Sequence, residues 1–454
     1  MDTLNREILR LALPSILANI TIPLVGMVGT AVAGHLPSAG GAGAATYIGA
    51  ISVGAMLFNL IYWNFSFLRT GTGGLTAQAY GAGDVDGCAR LLLRGLALAL
   101  VSAGATLALQ IPLLRLAMLL VNASPEVEAL AEQYFRIRIW AAPATLSLMA
   151  FSGWFVGMQD SMSSMWKDLV VNLVNIGAGV CLALGVGRWK GLGFAGIPLA
   201  TVIAQYSGLL FCVLTCVFRY GRRVFGCVSK AMLRSLLEGS GMRKFMKMNA
   251  DLIGRSFGFT AIYIGYTMIA ATCGDMMLAC SSIMMQLLML FSYFTDGFAY
   301  AGEALTGRFI GARDRMMMRS TVRWVFIWSM SIAVLFIGIY YAGGLPMLRL
   351  LTSDTAVVSA CRQFLPWLIL MPPLGCAAFT WDGIYLGAAA SRDIRNSMLG
   401  AALCFFAAWL VGRLWVEAET ARMHLLLGAY FAHLAFRTIY LSVRYRELLT
   451  IFVS

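Results

Sequence analysis

The chain is a succession of long apolar stretches separated by short polar segments. Most stretches reach or exceed the ~20 residues that an α-helix needs to cross the hydrocarbon core of a bilayer. The pattern predicts twelve membrane-spanning helices, at 8–34, 44–80, 90–121, 126–158, 164–187, 191–218, 245–273, 276–306, 316–345, 357–390, 394–415 and 421–442. We therefore predict an all-α polytopic membrane protein, with kinks where proline interrupts a span, as in MPPLG (371–375).

A weak internal repeat relates the two halves of this pattern. GLTAQAYGAGD (74–84) and ALTGRFIGARD (304–314) are 230 positions apart, and GWFVG (153–157) is separated from GIYLG (383–387) by the same offset. Both halves contain six predicted spans and run in the same direction. We therefore expect two parallel six-helix repeats around a central cavity, an arrangement typical of transporters.

Lysine and arginine predict the orientation and the division into domains. If both termini are cytoplasmic, the inside segments carry more than twice as many Lys and Arg residues as the outside segments. A basic segment lies near the middle of the chain. We predict an N-terminal six-helix bundle at 1–218, a basic cytoplasmic linker at 219–244, and a C-terminal six-helix bundle at 245–454.

The composition excludes several classes of function. The chain is 60% hydrophobic and 12% charged, whereas soluble domains average about 25% charged residues. The net charge of +13 does not indicate a nucleic-acid partner, because membrane proteins concentrate basic residues in cytoplasmic loops. The histidines are scattered and no C-x-x-C pair occurs, so we expect neither a metal site nor a cofactor.

Acidic residues inside predicted spans are the first candidates for function. A charge at the bilayer centre costs roughly 2.5–3.5 kcal/mol on insertion scales, so such residues are commonly functional or paired. Asp382, in FTWDGIYLG, is far along its span from any basic residue. We interpret it as a protonatable or cation-binding carboxylate that lines an internal cavity, with Tyr385 on the same helix face as a hydrogen-bond donor. A structural acid bound by a neighbouring helix is the alternative.

Two further acids lie seven residues apart on one face of the eighth span. Asp296 is nearer the middle of the span, and we regard it as a second candidate for cation coupling. Glu303 is nearer the cytoplasmic end, where we expect a hydrated residue or one paired near Arg308, although a role in gating stays open.

The remaining polar candidates allow two interpretations each. Asp251 and Arg255 have (i, i+4) spacing and are expected to pair with each other; in the alternative, Arg255 meets Asp296 across helices as a proton-sensitive latch. Arg69 either extends toward the cytoplasmic rim or takes part in a gate. Asn172 and Asn175 either line a cavity or join helices through hydrogen bonds.

Several segments resemble the multidrug and toxic compound extrusion (MATE) transporters, specifically their DinF-like branch. These segments are NREILRLALPSILANITIPLVGMVGTAVAGHL, GAMLFNLIYWNFSFLRTGTGGLTAQAYG, DGFAYAGEALTGR and WDGIYLG. The resemblance implies two bundles around a central cavity, export of organic and often cationic compounds in exchange for H⁺ or Na⁺, and a coupling acid at Asp382. The chain departs from the family where relatives carry acids, with Gly29 in the first span and Gly179 after NLVNI. These departures favour the C-terminal half as the coupling site.

We therefore expect a secondary active exporter of cationic or amphiphilic compounds that works by alternating access. A flippase for lipid-linked precursors is the alternative, although it requires a more cationic cavity than Arg69 and Arg255 provide. An intramembrane enzyme lacks support, since no G-x-S-x-G or H-E-x-x-H motif occurs. The expected partners are a small organic substrate, H⁺ or Na⁺ (with Na⁺ at Asp382) and the lipid bilayer. We expect a monomer in the bacterial cytoplasmic membrane.

Overall fold

The computed structural model describes residues 2–37, 43–119, 124–225, 240–352 and 354–452. This part of the chain is almost entirely helical. The long helices of the first half are α1 (Asp2–Gly34), α2 (Ala44–Trp63), α3 (Phe67–Gly81), α4 (Val85–Ala108), α5 (Gln110–Leu119), α6 (Pro125–Arg138), α7 (Ala142–Gly157), α8 (Ser161–Leu184) and α9 (Gly196–Thr215). Those of the second half are α10 (Ser240–Ala271), α11 (Asp275–Gly311), α12 (Arg315–Leu351), α13 (Thr355–Arg362), α14 (Leu365–Gly387), α15 (Ser391–Arg413) and α16 (Glu419–Leu448).

The helices agree with the predicted spans. Among the described residues, 10 helical segments are long and apolar enough to cross a membrane, and the bent pair α13–α14 makes 11. The remaining predicted span corresponds to α10, whose 32 residues are also sufficient to cross the core. Its first turns contain Arg243, Lys244, Lys247 and Asp251. The all-α polytopic fold is confirmed.

Two details of the spans differ from the predictions. The third span ends near Ala108, and the apolar residues that follow form the separate helix α5. In the tenth span, the 56° bend lies between α13 and α14, whereas Pro372 and Pro373 lie within the continuous helix α14. Phe364 begins a new hydrogen-bonded turn, so a break in the helix, rather than the proline pair, interrupts this span.

The described chain forms two compact units. Unit 1 combines Met1–Ile16, Ala77–Gly83 and Lys244–Ser454, and unit 2 combines Leu17–Thr76 and Asp84–Arg243. Within unit 1, the buried core includes Met284, Phe291 and Phe405. Within unit 2, a core cluster includes Trp154, Phe155 and Cys212. Most of the predicted basic linker, at 226–239, lies outside the described residues, and the predicted division into 1–218, 219–244 and 245–454 stays a prediction.

The predicted repeat is visible as equivalent local geometry. In unit 2, a Cβ at Gly153 would lie 2.0 Å from the carbonyl oxygen of Arg69; in unit 1, a Cβ at Gly383 would lie 2.1 Å from that of Ala299. Both glycine positions and both carbonyl positions are related by the 230-residue offset. These contacts allow α7 and α3, and likewise α14 and α11, to approach at backbone distance.

The turns between helices repeat in the same way. The Asp84 carboxylate accepts a hydrogen bond from the Gly87 amide (2.7 Å), and the Asp314 carboxylate accepts one from the Met317 amide (2.9 Å). Each aspartate caps the N-terminus of a helix, α4 or α12, by satisfying one of its unpaired amides. Asp84 and Asp314 are therefore identical because the same helix-capping turn occurs in both halves of the chain.

Candidate functional site

Asp382 lies near the C-terminal end of α14 in unit 1, where close contacts hold the helix on both sides. Gly383 packs against the α11 backbone at Ala299. The Trp381 indole donates a hydrogen bond to the Ser442 hydroxyl (2.9 Å), and the Tyr385 hydroxyl donates one to the Leu441 carbonyl (2.6 Å), both on α16. The backbone that carries Asp382 is therefore fixed between α11 and α16.

Two guanidinium groups contact the Asp382 carboxylate. Arg255 of α10 donates from Nη2 to Oδ2 at 2.7 Å, and Arg437 of α16 donates from Nη2 to the same oxygen at 2.5 Å. The side chains of Asp382 and Arg437 are 10% and 2% exposed, and that of Arg255 is 20% exposed. Hydrogen bonds between such charged groups are short and strong when water is excluded.

The charges of this cluster do not cancel. With Asp382 ionised, two positive charges face one negative charge. Protonation of the carboxylate would remove the negative charge that both guanidinium groups share. An uncompensated buried charge is costly. Any ion that binds Asp382 therefore acts on the packing of three helices, α10, α14 and α16.

Two predictions about pairing in this region are wrong. Arg255 does not pair with Asp251 on its own helix but reaches Asp382, 127 residues away in the chain. Tyr385 donates to the Leu441 carbonyl, so its expected bond to Asp382 does not form. In both cases the bond that forms is to a neighbouring helix, because these helices pack within hydrogen-bonding distance of each other.

Asp251 forms a second buried cluster, at the start of α15. Its Oδ1 accepts from Arg395 Nη1 at 2.5 Å, and its Oδ2 accepts from the Ser391 hydroxyl at 2.8 Å. The Asp251 side chain is 7% exposed and that of Arg395 is 36% exposed. Since the partners lie on α15, this carboxylate joins α10 to α15.

The two acids of α11 are positioned differently from each other. Asp296 is half-buried, next to Gly297, where a Cβ would lie 2.4 Å from the Ile16 side chain of α1. Glu303 is 0% exposed, so the expectation of a hydrated rim residue is wrong. Arg308 bonds instead to Glu7 at 3.1 Å, since α1 passes beside this end of α11. The backbone oxygen of Glu303 would lie 2.3 Å from a Cβ at Gly387, so α14 packs closely on α11 and encloses Glu303.

The remaining candidates line one cavity inside unit 2. Arg69, Asn172 and Asn175 all contribute to a space of about 460 Å³. Asn172 Nδ2 donates to the Thr21 hydroxyl at 2.5 Å, and Asn175 Nδ2 lies 3.5 Å from the Thr201 hydroxyl. Both interpretations of Asn172 and Asn175 therefore apply, because the two side chains line the cavity and also join α8 to α1 and α9.

Sequence reasoning missed four cations by assigning them to loops. Arg437 and Arg395 hold the buried aspartates, while Arg138 and Lys167 line the cavity of unit 2. All four lie inside predicted spans: Arg437 in 421–442, Arg395 in 394–415, Arg138 in 126–158 and Lys167 in 164–187. The available signal was their position within an apolar stretch, which indicates a buried side chain even when the residue is near the end of a span.

Comparisons with known proteins agree on one family. The family model described as MatE matches residues 14–181 and 252–407. The chain is 36% identical over 402 residues to DNA damage-inducible protein F of Escherichia coli (strain K12), covering 88% of this chain and 84% of that protein. It is 24% identical over 368 residues to the probable multidrug resistance protein NorM of Thermotoga maritima, covering 79% and 75%.

A solved structure shares the fold at low sequence identity. The outward-facing conformation of a multidrug resistance MATE family transporter of the MOP superfamily matches with a TM-score of 0.82 and 16% identity, covering 98% of this chain and 96% of that chain. This likeness concerns the fold alone. It extends over nearly the whole chain, as does the similarity in sequence.

Proposed function

The chain belongs to the MatE family, and from this premise we propose that it exports small organic compounds across the bacterial cytoplasmic membrane in exchange for H⁺ or Na⁺. The mechanism is alternating access, in which unit 1 carries the coupling acid and both chain termini face the cytoplasm. The flippase alternative is not favoured, because two of the relatives in sequence are named probable multidrug resistance proteins. Those relatives also agree with transport rather than enzymatic catalysis.

The observation that carries the proposal is the contact of Asp382 with Arg255 and Arg437. Binding of a proton to Asp382 removes the shared counter-charge of two guanidinium groups and favours a different packing of α10, α14 and α16. A ligand that changes the relative free energies of two conformations shifts their populations. Ion binding and helix movement are thereby linked.

The same arrangement favours H⁺ over Na⁺ at Asp382. Sodium needs several oxygen ligands, whereas the groups that face the carboxylate oxygen Oδ2 are guanidinium nitrogens. A proton requires no additional ligands and binds the carboxylate directly.

Transport in proteoliposomes tests the proposal. Movement of ethidium, which is cationic, and of dansylglycine, which is anionic, is measured under a proton gradient and, separately, a sodium gradient. We expect at least one dye to be driven by the proton gradient, and Asp382→Asn to abolish this movement. Asp382→Glu keeps an ionisable group and should retain part of it.

The control replaces an acid outside the cluster. Asp275 is exposed in the first turn of α11, so Asp275→Asn should transport like the unmodified chain. Gradient-driven transport by Asp382→Asn at the unmodified rate would refute the coupling role, and no movement of either dye under either gradient would refute the exporter.

A further inference from the structure

The cavity of unit 2 is lined by more positive than negative side chains. Arg69, Arg138 and Lys167 contribute positive charge, and Asp168 is the acid among the lining residues that the structure describes. All four lie within helical segments long and apolar enough to cross a membrane. Charge is costly at such depth unless it is compensated, so this excess requires an explanation.

The acid of the cavity is already engaged. Lys167 Nζ lies 2.7 Å from Asp168 Oδ1 and also donates a hydrogen bond to the Ser152 hydroxyl. Lys167 and Asp168 therefore neutralise each other. Arg138 remains as a cation of the lining whose contacts with described residues include no carboxylate.

Arg138 is held by groups without formal charge. Its Nη1 donates to the Tyr134 hydroxyl at 2.7 Å, and its Cζ lies 4.7 Å from the centre of the Phe58 ring. Hydroxyl and cation–π contacts orient a guanidinium group but leave its charge uncompensated. The arginine is therefore fixed in place and able to bind a negative group in the cavity.

The rest of the lining suits an organic molecule rather than a small inorganic ion. The volume, about 460 Å³, lies within the range of about 300–1,000 Å³ that is typical of ligand pockets. Ile51, Leu148, Met149 and Val171 form apolar wall, while Asn59 and Gln205 add amide groups. Such a surface accommodates an apolar body together with a polar head.

We propose that this cavity binds organic anions, that is, molecules with an apolar body and a carboxylate, sulfonate or phosphate group that pairs with Arg138. The inference deepens the proposed function, on which it rests for the transport step, and it assigns a substrate charge opposite to the cationic one expected from the sequence. The proposal depends on one observation: the Arg138 guanidinium is held by neutral groups in the wall of a partly apolar cavity.

Gly29 offers a way to alter the charge of the cavity without removing a side chain. It lines the cavity, and a Cβ built there meets no other atom within 4 Å. Gly29→Asp adds one negative charge, and Gly29→Asn adds a side chain of the same size without charge. A difference between the two variants is therefore electrostatic.

Equilibrium binding to the purified full chain in neutral detergent is the test. Dansylglycine and dansylcadaverine carry the same fluorophore with opposite charges. We expect the unmodified chain to bind dansylglycine more tightly, and Gly29→Asp to bind it roughly tenfold more weakly than Gly29→Asn. Arg138→Gln should weaken dansylglycine binding by a similar factor and leave dansylcadaverine binding no weaker.

Two results would overturn the proposal. One is dansylcadaverine binding as tightly as dansylglycine to the unmodified chain; the other is equal dansylglycine affinity of the aspartate and asparagine variants. Competition by dihexanoyl phosphatidylglycerol distinguishes two sources of the anionic group. If the lipid displaces dansylglycine, the cavity binds a lipid head group. If it does not, the cavity binds a soluble organic anion. Both results support an anion site.

The binding test is independent of the transport test. Binding is measured without an ion gradient, so failure of charge selection leaves the exporter untouched. Conversely, loss of gradient-driven transport in Asp382→Asn with unchanged dansylglycine binding would separate the coupling acid in unit 1 from the cavity in unit 2.

Discussion

Gly81 lies so close to the backbone of Arg308 that a Cβ at residue 81 would be 1.8 Å from the Arg308 carbonyl oxygen. The contact is reciprocal, because a Cβ at Gly311 would be 2.0 Å from the carbonyl oxygen of Gln78. Residues 81 and 311, and residues 78 and 308, are each related by the repeat offset of 230. Within unit 1, the end of α3 and the end of α11 therefore meet as a local pseudo-symmetric pair.

We predict that Gly81→Ala and Gly311→Ala destabilise the protein to a similar extent. Each methyl group would collide with a backbone atom, which can be relieved only by shifting a helix, at a cost of about 1–3 kcal/mol or more. The measurement is the midpoint of thermal unfolding in detergent. Gly104→Ala is the matched control, since Gly104 has no atom within 4 Å of an added Cβ and alanine favours a helix. A similar loss in the control would contradict the packing argument.

We predict that Asp382→Asn is more destabilising alone than in combination with Arg255→Gln and Arg437→Gln. The single change leaves two guanidinium groups without their carboxylate, and breaking a buried ion pair in this way costs about 3–5 kcal/mol. Removing all three charges avoids that penalty. Unfolding of the single and triple variants in denaturing detergent measures the difference. If the triple variant is no more stable than the single one, the cluster does not have the energetic role that its geometry indicates.

We predict that Asp251 is coupled to Arg395 and not to Arg255. A double-mutant cycle between Asp251→Asn and Arg395→Gln should give an interaction free energy of about 0.5–3 kcal/mol, as is usual for residues in direct contact. The corresponding cycle with Arg255→Gln should give a value near zero, because the Arg255 guanidinium bonds to Asp382. Unfolding free energies in mixed detergent supply both cycles. A larger interaction free energy in the cycle with Arg255 than in the cycle with Arg395 would support the pairing expected from (i, i+4) spacing.

We predict that α11–α12 and α12–α13 connect on opposite sides of the membrane, the first in the cytoplasm. Met316 and Ala356 are exposed residues beside these connections. In intact cells, a membrane-impermeant maleimide should label Ala356→Cys but not Met316→Cys, and lysis should expose both. Labelling of the unmodified chain is the background. Labelling of Met316→Cys in intact cells would invert the orientation drawn from lysine and arginine.

The sequence predicted the spans and the repeat because both are local properties. A stretch of about 20 apolar residues is sufficient to identify a membrane-spanning helix. The helix-capping residues Asp84 and Asp314 identify the same turn in each half. Asp382 and Asp251 were recognised as candidates for the same reason, since a charge inside an apolar stretch is visible without knowledge of the fold.

The tertiary structure alone decided which charges meet. Asp382 is 127 residues from Arg255 and 55 residues from Arg437, and Asp251 is 144 residues from Arg395. It also decided that Glu303 is buried and that Arg138 and Lys167 line a cavity. Hydropathy specifies that a helix crosses the membrane, but the partners of its side chains depend on its rotation and on its neighbours. These follow from the packing of many side chains at once.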